Sequence, residues 1–237
     1  MKLEAHIVPV AALDDNRIAE MLDLMDAHYE GVTLEGLLAD LRAKDRVILL
    51  TRGGRLRGFS TQTWFWHGSG TERVRVVFSG DTIVHRDDWG SPALAVAWGR
   101  MMLGLLDENP AAGLYWLLTS KGYKTYRFLT VFFREFLPRF GGAAEQELLA
   151  LRDEIAAERF GARYDAVSGV LRAAPGAQRL RPGVADLDVR HLRDPQVAFF
   201  QQLNPGHAGG DELVCLARFH PDNLHPYILR QLLARQP

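Results

Sequence analysis

Residues 46–66 read RVILLTRGGRLRGFSTQTWFW. Val47-Ile48-Leu49-Leu50 is an unbroken apolar run, the pattern of a strand buried on both faces. Arg52-Gly53-Gly54-Arg55 predicts a tight turn, and Leu56 to Trp66 predicts a second strand returning beside the first as a hairpin. A further turn, His67-Gly68-Ser69-Gly70-Thr71, leads into a third strand over 73–84, in which Val74, Val76 and Phe78 alternate with polar residues. Ser79-Gly80-Asp81 interrupts that alternation, as a β-bulge does.

Upstream of this core, Ala5 to Val10 reads as a short strand. Asp14 or Asp15 caps a helix whose apolar face is Ile18, Met21, Leu22, Met25 and Tyr29. Thr33 caps a second helix with Leu34, Leu37, Leu38 and Leu41 on one face. Downstream, His85 to Pro92 is a loop into a helix, with Ser91 as N-cap and Pro92 in the first turn; Leu94, Trp98, Met101, Met102 and Leu105 form its apolar face. Leu114 to Leu118 reads as a buried strand. A helix is expected from Lys121 to Leu137, stopped by Pro138. Beyond Gly141-Gly142 the pattern gives a helix over Ala144–Phe160, a strand within Tyr164–Leu171 and a loop over Ala173–Gly183. A helix over Pro195–Leu203, a strand over Glu212–Phe219 and a last helix over His225–Leu233 follow.

The chain is long enough, at 237 residues, for one large domain or a domain with a substantial extension. A net charge of −1 gives no reason to expect nucleic acid or an acidic surface as partner. No apolar run approaches the ~20 residues of a membrane span, and no leader pattern opens the chain. The single cysteine, Cys215, sits in an apolar run and reads as a buried small hydrophobe. A reducing, cytoplasmic setting is therefore expected. His207, His220 and His225 lack metal-ligand spacing, so no metal site is expected.

The order strand, helix, helix, three antiparallel strands, helix, strand, helix over Glu4 to about Arg139 resembles the GNAT acyltransferases. The resemblance implies an α/β (α+β) fold: a mixed, mainly antiparallel sheet flanked by helices over residues 1–142, with an α/β extension over 143–237 packed on it. It also implies an acyl-CoA donor, acetyl-CoA or another, whose pyrophosphate rests on backbone amides of the loop after the fourth strand, because a helix N-terminus presents unpaired N–H groups and a positive dipole end. The family pattern there is Arg/Gln, two residues, Gly, any residue, Gly/Ala. This chain has Arg86-Asp87-Asp88-Trp89-Gly90-Ser91-Pro92-Ala93. Gly90 matches the first glycine. Asp87 replaces Arg/Gln and Pro92 replaces the last Gly/Ala, removing an N–H.

The resemblance then assigns Val84, Arg86, Trp89, Gly90, Ser91 and Ala93 to cofactor binding, with Lys121 and Lys124 as phosphate partners. Asp81 or His85 would deprotonate an amine acceptor, a small molecule or other amine, and Tyr123 or Tyr126 would protonate the leaving thiolate. Each residue also has a plainer reading: Asp81 and His85 as turn residues, Tyr126 as core, the lysines as a solvated face. The paired faces of Trp64-Phe65-Trp66-His67 either line an apolar pocket or lie under helices. An acyl carrier protein is a second donor compatible with the altered loop, recognised through basic residues such as Lys121, Lys124 and Arg127. The altered loop also leaves open a GNAT-like domain without catalysis, serving as a binding or scaffold module. The acceptor and the oligomeric state are not legible.

Overall fold

The computed structural model describes residues 2–142 and 145–234, which group into two compact units: Met1–Leu114 with Pro226–Pro237, and Tyr115–His225. The expected start of a helix at Ala144 lies outside the described residues.

The first unit holds β1 (Glu4–Pro9), α1 (Asp15–Asp26), β2 (Tyr29–Glu30), α2 (Leu34–Arg42), β3 (Arg46–Arg52), β4 (Arg55–His67), β5 (Val74–Val84) and α3 (Ala93–Glu108). The caps of α1 and α2 are among those the sequence predicts. The Asp14 carboxylate accepts from the Arg17 amide at 2.7 Å, and Thr33 Oγ1 accepts from the Gly36 amide at 3.0 Å. β1 pairs with β3, β3 with β4 and β4 with β5, all antiparallel. The β3–β4 turn has Gly53 and Gly54 at φ +58° and +79°, the left-handed pair that a two-residue hairpin loop requires. Met21, Met25, Leu37, Val47 and Phe59 are buried together, so α1 and α2 cover one sheet face.

The second unit continues the alternation of strand and helix with β6 (Leu114–Ser120), α4 (Tyr123–Phe132), α5 (Gln146–Phe160), β7 (Tyr164–Asp165), β8 (Val170–Leu171), β9 (Arg179–Leu180), α6 (Pro195–Leu203) and β10 (Glu212–Arg218). β10 lies antiparallel between β6 and β8, and β8 pairs with β7. The sheet pairings within both units are antiparallel and helices flank them, the mixed, mainly antiparallel class expected. The chain ends in α7 (Pro226–Leu233), back in the first unit. There Gly99 of α3 leaves room for Leu232: a Cβ would fall 2.5 Å from its Cδ2.

Several segments differ from expectation. α1 ends at Asp26, so Tyr29 lies in β2 and not on the helix face, and the loop expected over Ala173–Gly183 contains β9. The fourth helix stops at Phe132 rather than Leu137, because Phe133 turns extended and bridges to Leu224, and Leu137 bridges to Leu216. The strand expected over 164–171 is a two-rung hairpin, β7–β8, turned by Asp165 to Gly169. The Asp165 carboxylate accepts from Ser168 Oγ at 2.8 Å and from Arg172 at 2.8 Å. Led by the Ser168 hydroxyl, these bonds lower its pKa from 3.8 to about 2. A depressed carboxylate pKa adds stability that is present above pH 3.8 and lost as pH falls through about 2. Asp165→Asn should therefore flatten the fall of the urea midpoint across that window; a wild-type curve parallel to the variant's would refute the assignment.

Candidate functional site

β5 carries a bulge where the sequence places it. Ser60 pairs with Thr82 and Gln62 with Ser79, so Thr61 alone stands opposite Gly80 and Asp81. Asp81 is half-buried at the bulge. Gly80 is required there by space: a Cβ would lie 2.6 Å from Thr61 Oγ1 and 2.6 Å from Lys44 Cε. The Lys44 ammonium is buried, ion-paired to Asp40, with the Phe78 ring 5.7 Å away.

The loop after β5 folds on itself. His85 Nδ1 accepts from Arg57 Nη2 at 2.9 Å and from the Asp87 amide at 3.3 Å. A guanidinium can only donate, so Nδ1 is an acceptor and the neutral ring carries its proton on Nε2. That role ties His85 to the turn over Arg86–Asp88; as a base it would have to take a proton on the nitrogen that already faces two donors. The two acidic residues of the loop, Asp87 and Asp88, are both paired with arginines. Asp88, 4% exposed, is held by Arg52 and by Arg57 Nε at 2.7 Å, and Asp87 meets Arg57 at 3.1 Å. Asp88, foremost, holds the Arg57 guanidinium above its ordinary pKa range.

The amides assigned to a phosphate cradle are mostly engaged within the turn. Trp89 N–H donates to Arg86 O at 3.2 Å, Ser91 N–H to Asp88 O at 3.1 Å and Ala93 N–H to Ser91 Oγ at 3.3 Å. Pro92, not Ser91, is the N-cap of α3. Val84 offers its carbonyl to Trp89 Nε1 at 2.8 Å, and the Arg86 guanidinium lies 5.6 Å from the centre of the Trp89 ring. The α3 end retains the N–H groups of Gly90, Leu94 and Ala95, which have no protein acceptor among the described residues. Gly90 sits at φ +88°, and a Cβ there would meet nothing within 4 Å. The amides of this loop without a protein acceptor are therefore those of residues 90, 94 and 95, and not those of residues 89, 91 and 93.

The remaining candidates lie in the second unit. Tyr126 is fully buried, its hydroxyl donating to Pro138 O at 2.9 Å and to Gln196 Oε1 at 3.3 Å, and burial drives its pKa far up. Tyr123 packs on His191, ring centroids 5.1 Å apart, and desolvation raises its pKa too. Lys121 pairs with Glu212 at 3.6 Å and Lys124 donates to Val184 O at 2.6 Å. In the first unit, the Trp64 and Trp66 rings are met by guanidinium groups, Arg75 5.7 Å from Trp64 and Arg73 4.4 Å from Trp66. Sequence reasoning missed Arg52, Arg57, Lys44 and Gln62. Their roles depend on strand pairing, and the one available signal was a polar residue inside a strand that is otherwise buried.

No helix among the described residues is long and apolar enough to cross a membrane. No family model matches the chain, and no curated protein matches it. Similar solved structures include a probable N-acyltransferase from Enterococcus faecalis V583, at TM-score 0.43 and 14% identity over 57% of this chain. An acetyltransferase from Trypanosoma brucei aligns at TM-score 0.39 and 17% identity over 61% of this chain and 95% of its own. A GNAT family N-acetyltransferase from Escherichia coli in complex with CoA aligns at TM-score 0.37 and 16% identity, over 54% of this chain and 69% of its own. The chain spans about a third, 33%, of the Enterococcus faecalis protein.

Proposed function

We propose that this chain is a divergent GNAT-type acyltransferase that moves an acyl group from a thioester donor, acetyl-CoA or another acyl-CoA, to an amine. The observation that carries the reading is β5 itself, bulged at Gly80–Asp81 and running by a short turn into α3, with the amides of Gly90 in that turn and of Leu94 and Ala95 in the helix open. Asp81 is the proposed base, because it stands at the bulge, outside the regular β4–β5 pairing; His85 Nδ1, the nitrogen a base would use, already accepts from two donors. Tyr123 is the proposed acid, because the Tyr126 hydroxyl is already bonded in the core. Residues 1–142 are the proposed acyltransferase domain and 143–237 its extension. An acyl carrier protein is the alternative donor. The engaged amides of Trp89, Ser91 and Ala93 favour a second reading, a GNAT-like binding module without catalysis.

Calorimetric titration with acetyl-CoA and with a medium-chain acyl-CoA tests the donor. Binding of one of them is expected, with a stabilisation of roughly 2.7 kcal/mol at a hundredfold excess over Kd. Gly90→Ala should weaken binding by adding a methyl to the space beside the turn, which holds no protein atom within 4 Å. The left-handed φ at that position should also lower stability by about 1–2 kcal/mol. Absence of heat from both ligands with the wild type would remove coenzyme A as donor.

A further inference from the structure

Four side chains on one face of the β4–β5 ladder are polar and buried where a sheet face ordinarily carries apolar residues. Ser60 is 3% exposed, Gln62 0% and Ser79 7%, with Thr82 half-buried beside them. Ser79 Oγ donates to Gln62 Oε1 at 2.6 Å, and Gln62 Nε2 donates to Ser60 Oγ at 2.7 Å. Ser60 Oγ and Thr82 Oγ1 are 2.7 Å apart, and Thr82 Oγ1 donates to Gly80 O at 3.3 Å. Because Thr82 gives its proton to that carbonyl and Ser60 receives one from Gln62, the Ser60 proton goes to Thr82. The bonds thus run in one direction, from Ser79 to the Gly80 carbonyl.

The placement of these bonds matters more than their number. Ser60 with Thr82 and Gln62 with Ser79 are the last regular pairs on either side of the bulge. Two bonds tie the strands together at those pairs. The other two span the bulge lengthwise, one along each strand. Ser79 and Thr82, three residues apart, would point to opposite faces of a regular strand; only the extra residue brings both onto the face of Ser60 and Gln62. On the opposite face, the Gly80 position admits no Cβ beside Lys44 and Thr61. Sliding β5 by one residue would push Ser79 or Asp81 into that space and would break the chain of hydrogen bonds.

We propose that Ser60, Gln62, Ser79 and Thr82 are positioning residues that lock the bulge at Gly80–Asp81 and so decide where the Asp81 carboxylate is presented. The consequence for Asp81 rests on the acyltransferase reading; the lock does not. Thr82→Val keeps the shape and removes the hydroxyl, whereas Thr82→Ser keeps the hydroxyl and removes a methyl. A packing role would make the serine variant the worse of the two, and a lock predicts the reverse. Amide hydrogen exchange by NMR should rise about tenfold at residues 80–82 in Thr82→Val relative to the amides of β3, the scale of one buried hydrogen bond, and stay within about threefold in Thr82→Ser. Gln62→Leu, which cuts two links, should loosen the same amides further; if it does not fold, the Thr82 pair still decides. Unchanged protection in Thr82→Val, or greater loosening in Thr82→Ser, overturns the lock. Thiol release from an acyl-CoA in the presence of amines gives the second readout, with kcat falling in Thr82→Val and KM for the thioester unchanged. A wild type that releases no thiol from any thioester ends the acyltransferase reading and leaves the exchange result to judge the lock.

Discussion

Phe133→Ala should destabilise the second unit by about 3–5 kcal/mol, the range for an aromatic removed from a closed core. Phe133 is 1% exposed, at the point where α4 gives way to extended chain. Its ring lies 5.9 Å from Trp116 of β6, 6.1 Å from Phe132 and 6.3 Å from Phe219, the last edge-on. These neighbours come from a strand, a helix end and the residue after β10, so no single element can move in to close the cavity. Its backbone is fixed independently, by the hydrogen bond that its N–H donates to Leu129 O at 2.9 Å and by the bridge to Leu224, which makes collapse harder still. Phe133→Leu should recover more than half of the loss, because most of the volume returns. Urea unfolding followed by circular dichroism measures both. A loss under about 1 kcal/mol for the alanine variant would mean the ring is not packed as described.

The same residue shows where the sequence stops being legible. Leu129, Phe133 and Phe136 recur at helical spacing and Pro138 supplies a stop, so local pattern extends the helix to Leu137. The structure ends it at Phe132 because backbone pairing of residues 133 and 137 with Leu224 and Leu216 wins, and those partners lie about eighty to ninety residues downstream. Signals contained within a few residues fared better. Asp14 and Thr33 as caps, Gly53-Gly54 as a hairpin turn, Ser79-Gly80-Asp81 as a bulge and Pro195–Leu203 as a helix all appear as read. The candidate site divides in the same way. The bulge at Asp81 was legible. The commitment of His85 to Arg57, and of the loop amides to their own turn, was not, since the first needs a partner 28 residues away and the second needs backbone geometry.

Asp88 is the extreme case of that limit and the basis of the second large effect. Read locally, it is one of two adjacent acidic residues in a loop, with nothing nearby in sequence to name a partner. In the structure its side chain is 1% exposed and lies between two guanidinium groups, Arg52 at the end of β3 and Arg57 on β4. Arg57 Nη2 also reaches His85 and Asp87, so one arginine fixes three residues of the turn. Asp88→Asn keeps the shape of the side chain but removes its charge and turns an amide towards the cations. Breaking a buried ion pair from one side costs about 3–5 kcal/mol. The lower end of that range is expected here, because the arginine side chains are 37% and 20% exposed and water recovers part of the loss. Arg57→Ala should approach the same loss, since Asp88 then keeps only Arg52, while Arg52→Ala, the more exposed partner, should cost about 1 kcal/mol. Charge burial by itself, with no network, would make the two arginine variants equal in urea melts. A network hinged on Arg57 makes them unequal in the stated order, and in Arg57→Ala it should also release the turn, seen as faster amide exchange at residues 86–91 than in Arg52→Ala.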